Sequence, residues 1–401
     1  MRVRGRARLT RIIREDRLKI VSIKASLHRH AIRVDGIAEA LEQRQFVYVE
    51  VETDTGHTGF GVTGQFLPWA VIPCIENHIF PVLKGMDPRE TEKIHHAVWK
   101  KLNPRAYTGV ISNALSAVDI ALWDLRGKAE GRSVAGLLGG YSDRCAAYAT
   151  FGYSYFNHEE LAEYASKFVD MGFDAIKMVV GDDGHDWKED ARRVKAVRRA
   201  IPDEVELLID GNYFFSPAEA RLLCREIEDC GITWFEEPVH QNDTRAMADL
   251  RMHTGIPLAA GQMEGHRWRF RDLVLHQAID FVQPNCCYNG GYTESLKVAH
   301  MAQAFNLPIA NGGGWPIFNM HLMAGLMNGG RVEFHYGMWE AGKRFFKGAP
   351  DPDGNTLVIP QAPGLGFTPD RDQLQDCRVA SADDATSAQD AHGYTRRQKG
   401  N

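Results

Sequence analysis

VELLIDGNYFFSPAEARLLCREIEDCGITWFEEP, residues 205–238, contains two short apolar runs separated by an amphipathic segment. The first run ends in Asp210 and the second in Glu236, and residues 217–230 between them have helical periodicity. Apolar runs of strand length that alternate with helical segments predict parallel strands joined by right-handed crossovers. This stretch therefore predicts one β-α-β unit with an acidic residue at the end of each strand.

The same alternation extends over residues 141–344. Strands are predicted at 145–151, 174–180, 205–210, 232–236, 256–261, 279–284, 307–310 and 331–334. Eight parallel strands with intervening helices close into a (β/α)8 barrel of the modified TIM type, so the predicted fold class is α/β. The loops between these units are short, and we expect another domain to cover the barrel mouth.

Residues 17–140 have a different pattern, which predicts an N-terminal α+β capping domain. Residues 46–63 alternate apolar and polar side chains around Asp54-Thr55-Gly56, which is typical of a β-hairpin. We expect residues 345–378, after the barrel, to pack back on the capping domain. Residues 1–16 are predicted to be a basic arm and residues 379–401 a flexible tail.

The composition of the 401 residues is that of an ordinary globular protein. Hydrophobic residues make up 44% and charged residues 25%, and the net charge is −5 with dispersed basic residues, which disfavours nucleic acid as a partner. No apolar run approaches the roughly 18 residues that a membrane span needs. Seven cysteines without CxxC spacing fit a reducing compartment. We expect a cytoplasmic enzyme with a small-molecule substrate.

A polar residue lies at or near the end of seven predicted strands, and successive members are 22 to 33 residues apart. They are Lys177, Asp210, Glu236, Gln262, Asn285, Asn311 and Glu333. Any one of them could merely cap the next helix, but catalytic groups of such barrels lie at these strand ends. Asp210, Glu236 and Gln262 come from consecutive strands, and three oxygen donors suit Mg²⁺ better than zinc. Glu264 is an alternative third ligand.

Several motifs resemble the enolase superfamily, mandelate racemase-like subgroup. They are ALSAVDIALWDLRGK at 114–128, LLGG at 137–140, FDAIK at 173–177, IDGN at 209–212, WFEEP at 234–238 and AAGQ at 259–262. The resemblance implies a capping domain over the barrel, a substrate carboxylate bound to Mg²⁺, and removal of the proton beside that carboxylate. It also implies a homo-oligomer.

The chain departs from the family pattern at the positions that transfer protons. The family's second lysine falls on Val179, and its Asp–His dyad falls on Asn285 and Gly312. Lys177, which supports the base in the family, could itself be the base if burial and the cation lower its pKa. Alternatively, it only pairs with a carboxylate.

Other groups are candidates for proton transfer or substrate binding. Tyr288 and His335 are further candidates for proton transfer, and Glu333 matches the family's acidic residue on the last strand. We expect His28 and His30, in a capping segment, to favour a polar hydroxy acid. The other expected substrate contacts are Asn212, Asn285, Asn311 and Trp315.

These features predict a Mg²⁺-dependent lyase of the acid-sugar dehydratase type. A dehydratase can operate with one base and a nearby acid, whereas racemisation needs a proton-transfer group on each face of the carbanion. A cycloisomerase, racemase or epimerase of the same family is the first alternative. A catalytically silent protein that only binds its ligand is the second alternative.

Overall fold

The computed structural model describes residues 17–33, 41–102, 108–154, 156–181 and 185–380. The predicted arm at 1–16 and nearly all of the predicted tail lie outside these residues. None of the helices in the described ranges combines the length and the apolar character needed to cross a membrane.

The N-terminal half contains an antiparallel sheet. Strand β1 (Ile20–Arg33) pairs with β2 (Leu41–Thr53), which pairs with β3 (Thr58–Thr63). The hairpin therefore forms where the sequence predicts it, with a first strand that begins earlier than the alternation indicates. His28 and His30 lie within β1 and pair with residues of β2.

Helices cover one face of this sheet. They are α1 (Pro68–Pro73), a π-helical segment (Cys74–Ile79), α2 (Phe80–Leu83), α3 (Thr91–Leu102), α4 (Val110–Glu130) and α5 (Val134–Leu138). Strand β3 packs very closely on α4. A methyl group at Gly59 or Gly61 would lie only 2.2 Å from a backbone oxygen of the helix, so these positions require glycine. Helix α4 ends at Gly131, whose φ of 64° suits glycine.

Two buried aspartates of α4 attach the capping domain to the rest of the chain. Asp119 accepts hydrogen bonds from the backbone N–H and hydroxyl of Thr293, at 2.9 and 2.6 Å. Asp124 accepts from the N–H groups of Phe60 and Leu365 and from Lys128 Nζ. Because these partners come from three distant segments, each aspartate joins elements that the sequence keeps apart.

The second half is the barrel. Its parallel strands are β4 (Arg144–Phe151), β5 (Ala175–Val179), β6 (Glu206–Asp210), β7 (Ile232–Glu236), β8 (Leu258–Ala260), β9 (Phe281–Val282) and β10 (Val332–His335). The helices outside them are α6 (His158–Asp170), α7 (Trp187–Ala200), α8 (Pro217–Glu226), α9 (Thr244–Met252), α10 (His266–Leu275), α11 (Tyr292–Ala304) and α12 (Pro316–Gly325).

The strand predicted at 307–310 is reduced to one bridging residue. Ile309 forms parallel bridges to Val282 on one side and to Gly329 on the other. Strand β10 pairs with β4, which closes the barrel on the other side. The single residue Ile309 therefore connects the hydrogen bonding between β9 and the segment that leads into β10.

The chain then returns to the capping domain. After α13 (Tyr336–Phe345) come β11 (Phe346–Lys347), β12 (Thr356–Val358), β13 (Thr368–Pro369), α14 (Arg371–Asp376) and β14 (Arg378–Val379). Phe346 stacks on Phe60 of the cap at 5.7 Å. Val379, expected to begin the tail, instead pairs with Leu27 as a fourth strand of the cap sheet.

Candidate active site

Lys177 is the centre of the polar cluster at the barrel mouth. Its Nζ lies 2.7 Å from Glu236 Oε2, 2.9 Å from Glu333 Oε1 and 3.0 Å from Asp210 Oδ2. The ammonium is fully buried, and the three carboxyl groups come from β6, β7 and β10. The fold thus brings together four of the polar strand-end residues.

The electrostatics of this cluster bear on the role of Lys177. Burial disfavours its charge, but attraction to Asp210, Glu236 and Glu333 dominates and raises the pKa of Lys177 well above its usual value when no cation is bound. The geometry matches the alternative in which Lys177 pairs with carboxylates. Its role as the base, which requires the cation to lower its pKa, stays a prediction.

Glu236 shows that the cluster contains more acid than base. Burial and the neighbouring Asp210 raise its pKa well above the usual value, although Lys177 opposes the shift. Its Oε2 accepts from Lys177, whereas its buried Oε1 has no hydrogen-bond partner in the part of the chain that the structure describes. An unpartnered carboxyl oxygen in an acid-rich pocket fits a cation.

The side-chain amide of Gln262 can offer its oxygen as a metal ligand. Its Nε2 donates to Glu237 Oε2 at 2.8 Å, and a carboxylate partner requires the amide nitrogen to face it. The Gln262 oxygen therefore points away from Glu237, toward Gly313. Asp210, Glu236 and Gln262 thus form a donor set of oxygens that fits Mg²⁺.

Glu264, the alternative ligand, is engaged elsewhere. Its oxygens accept from Arg269 Nε and a terminal nitrogen of the same guanidinium at 2.9 and 3.1 Å, and from Asn242 at 3.3 Å. Both oxygens of Glu264 are thus paired with one guanidinium group, and its role as the alternative ligand stays a prediction.

Asn285 and Asn311 hold a loop together, in disagreement with their expected contact with substrate. Both Nδ2 groups donate to the carbonyl oxygens of Gly312 and Gly314. Asn285 Oδ1 accepts from Cys287 N, and Asn311 Oδ1 from Glu333 N. Their amides are therefore used within the protein.

The loop leaves no room for the family's histidine at Gly312. A methyl group there would lie 2.6 Å from Glu236 Oε1 and 2.9 Å from Gln283 Nε2. Gln283 is fully buried and neither of its amide atoms has a hydrogen-bond partner. The sequence analysis missed this residue, although it directly follows β9 on the same side as Asn285.

Tyr288 and His335 differ in their access to the mouth. Tyr288 is buried with its hydroxyl against Gly64 of the cap, and burial raises the pKa of that hydroxyl, which disfavours a role as base. His335, at the end of β10, bonds through Nε2 to the hydroxyl of Tyr153 and has an unpartnered Nδ1. Burial, together with the charge of Arg44, lowers the pKa of His335 to about 3, so its imidazole is neutral.

The capping domain contributes polar groups above the mouth. A small cavity between the domains is lined by His30, Arg44, Gln45, Gln65, Trp315 and Met338, among others. Arg44, which the sequence analysis missed, pairs across the strands with His30.

The expected substrate contacts divide into two groups. His30 and Trp315 line the cavity, and the buried Nε2 of His30 has no partner among the described residues. His28 does not line the cavity. Its two ring nitrogens are hydrogen-bonded to Leu374 O and Ser26 Oγ, both at 2.8 Å. Asn212 lies beside the cluster, where its N–H donates to Asp210 Oδ1.

Two family models cover most of the chain. The Mandelate racemase / muconate lactonizing enzyme N-terminal domain matches residues 21–139, and the Enolase C-terminal domain-like model matches residues 160–373. The chain belongs to the enolase superfamily. The predicted family and the capped, modified TIM barrel are thereby confirmed.

Characterised relatives of this enolase-superfamily enzyme include dehydratases and cycloisomerases. Arabinonate dehydratase of Saccharolobus solfataricus is 30% identical over 85% of this chain and 92% of the relative. D-galactarolactone cycloisomerase of Agrobacterium fabrum is 33% identical over 71% of this chain and 76% of the relative. These relatives agree with the predicted class, an acid-sugar dehydratase with an isomerase as alternative.

A solved structure shows the same architecture with metal and ligand. L-Talarate dehydratase from Polaromonas sp. JS666, complexed with Mg and L-glucarate, superposes with a TM-score of 0.79 at 28% identity. The match covers 91% of this chain and 98% of that chain.

Proposed function

We propose that this protein is a Mg²⁺-dependent dehydratase that removes water from a polyhydroxylated carboxylate of the acid-sugar type. The observation that carries the proposal is the excess of acid at the barrel mouth. Three carboxyl groups surround one ammonium, and Glu236 retains a buried oxygen without a partner. A divalent cation would compensate this arrangement and favour the ionised form of Glu236.

Asp210, Glu236 and Gln262 would hold the ion. When bound, Mg²⁺ would stabilise the negative charge that a substrate carboxylate gains as the neighbouring C–H bond breaks. Two carboxylates and one amide neutralise the ion less than three carboxylates would, and we expect weaker retention in return. The ammonium group of Lys177 would orient the carboxylates and attract the carboxylate of the substrate.

His335 is the proton-transfer group that the geometry favours. It lies at a strand end next to the acidic cluster, and its Nδ1 has no hydrogen-bond partner among the described residues. Tyr153 fixes the ring through the other nitrogen. A substrate carboxylate bound near Arg44 would offset that cation and raise the pKa of His335 from its low value.

The cap would bind the hydroxylated end of the substrate. Arg44, His30 and Gln45 lie along one side of the cavity, and the Trp315 ring lies on another. Polar side chains beside one aromatic ring favour a sugar acid over an aromatic acid.

A cycloisomerase of an acid-sugar lactone is the second candidate. The relative from Agrobacterium fabrum favours it, and such a reaction also needs only one proton-transfer group. Val179 and Gly312 leave the two usual positions without one. Racemisation needs a proton-transfer group on each face of the carbanion, so the absence of both usual groups disfavours it. The dehydratase and cycloisomerase reactions can proceed with one base and are therefore still possible.

Incubation with a panel of acid sugars and their lactones in D₂O tests the proposal. A 2-keto product that forms only with Mg²⁺ supports the dehydratase, and a rearranged product without loss of water supports the cycloisomerase. His335→Gln should abolish turnover, whereas His321→Gln, at a buried histidine of α12, should retain it. No product and no deuterium incorporation across the panel would support the silent binder.

Assembly into a homo-oligomer, cytoplasmic location and the absence of nucleic-acid and membrane partners remain predictions from the sequence. Size-exclusion chromatography with light scattering tests the first. We expect more than one chain per particle.

A further inference from the structure

We propose that His95, His266 and Glu294 form a second metal site, separate from the barrel mouth, for a divalent transition metal such as Zn²⁺. His95 belongs to α3 of the cap, whereas His266 and Glu294 belong to α10 and α11 of the barrel. A metal bound there would join the two domains.

The three side chains are spaced as metal ligands. One potential ligand atom from each residue lies within 4.8 Å of the other two. His95 Nε2 is 3.9 Å from Glu294 Oε2, and His266 Nδ1 is 3.6 Å from Glu294 Oε1. Zinc bonds of about 2.0–2.1 Å would place tetrahedral ligands about 3.3 Å apart, so the three side chains would have to move closer together to bind one ion.

Unpartnered nitrogens provide a second, independent observation. Neither ring nitrogen of His266 has a hydrogen-bond partner, although the side chain is 0% exposed. His95 is 5% exposed and hydrogen bonds to the backbone of Gly290, which leaves Nε2 as its unpartnered atom. Buried polar atoms without partners are costly, and a metal would use the free lone pairs.

Two neighbouring cationic side chains lower the affinity of Glu294 for a metal but leave one of its oxygens accessible. Arg267 contacts both oxygens of Glu294 at 2.7 Å, and Lys297 lies 3.7 Å from Oε2. Oε1 also accepts from Arg267 N, so Oε2 keeps the more accessible lone pair. Imidazole ligands favour Zn²⁺, Co²⁺ or Ni²⁺ over Mg²⁺, which separates this site from the oxygen set of the barrel.

The backbone at His266 supports a built site. This residue has a φ of 58° at the start of α10, a conformation that non-glycine residues seldom adopt. Strained positions of this kind concentrate at functional sites. The strain holds the imidazole beside Glu294, where it makes no hydrogen bond.

Cobalt binding tests the proposal. The metal-free full chain is titrated with Co²⁺ in excess Mg²⁺, which occupies the barrel site, and visible absorption and metal content are measured. We expect one tightly bound Co²⁺ per chain with the intense bands of four-coordinate cobalt. Zn²⁺ should displace it and raise the melting temperature.

Variants assign the metal to these residues. His266→Ala should remove the cobalt bands, and His95→Gln, in case the first variant fails to fold, should weaken binding at least about tenfold. His321→Gln, at another buried histidine, and Glu236→Gln, in the barrel, should retain the bands. The absence of a Co²⁺ ion beyond the barrel site, or bands lost only in Glu236→Gln, would overturn the proposal.

Discussion

Replacement of Lys177 by methionine removes the ammonium from the acidic cluster while keeping a side chain of similar length. The wild-type Nζ lies 2.7–3.0 Å from three buried carboxyl groups. Loss of one partner from a buried ion pair costs about 3–5 kcal/mol, because the remaining charge stays buried without compensation. We therefore expect the free energy of unfolding without Mg²⁺ to fall by about this amount.

Magnesium should recover more stability in Lys177→Met than in the wild type, because the variant has lost the cation that competes for Asp210 and Glu236. Urea unfolding followed by circular dichroism, with and without Mg²⁺, measures both effects. The matched control is Lys128→Met, which removes a 2.6 Å ion pair with buried Asp124 outside the site. Its stability should fall equally with and without the ion.

Activity provides an independent readout for the same variant. Lys177→Met should lose turnover, since the substrate carboxylate loses its cationic partner. An unchanged unfolding midpoint and an unchanged response to Mg²⁺ would together refute the reasoning, because they would show that the ammonium does not share the carboxyl cluster with the metal.

Three further predictions follow from other contacts. Asp124→Ala should destabilise the chain by about 3–5 kcal/mol in urea unfolding, since it leaves two backbone N–H groups without their acceptor and removes the ionic partner of Lys128; a loss below about 1 kcal/mol would contradict this. Gly312→Ala should reduce Mg²⁺ affinity in calorimetry at least about tenfold, whereas Gly255→Ala, which has open space around it, should bind normally. Burial lowers the pKa of His321 from 6.5 to about 3, so the unfolded chain binds an extra proton between these values and wild-type stability falls as the pH drops through them. Relative to wild type, His321→Leu should gain about 1.4 kcal/mol per pH unit on acidification from 6.5 to 3 in pH-dependent unfolding; a constant difference would be the contrary result.

The sequence was sufficient to predict the barrel and its acidic cluster. Apolar runs of strand length that alternate with helices form a parallel sheet, and eight such units close into a barrel whose strand ends meet at one mouth. Lys177, Asp210, Glu236 and Glu333 were therefore predictable as neighbours. The reduction of the strand at 307–310 to Ile309 was not, because that run is as apolar as the others.

The roles of loop and cap residues depended on distant partners. The position of Asn285 at a strand end suggested a contact with substrate. Its amide instead donates to the carbonyl oxygen of Gly314, which only the folded loop brings close. His28 and His30 lie on the same side of one strand. Nevertheless, it is His28 that forms a hydrogen bond to the carbonyl oxygen of Leu374, which lies far along the chain. Arg44 could have been found from the hairpin register, which places it opposite His30.

Anomalous diffraction from crystals soaked in Mn²⁺, as a substitute for Mg²⁺, tests the central claim most directly. The account predicts a peak within ligand distance of oxygen atoms of Asp210, Glu236 and Gln262. A fully soaked crystal with no peak among these three side chains would contradict it.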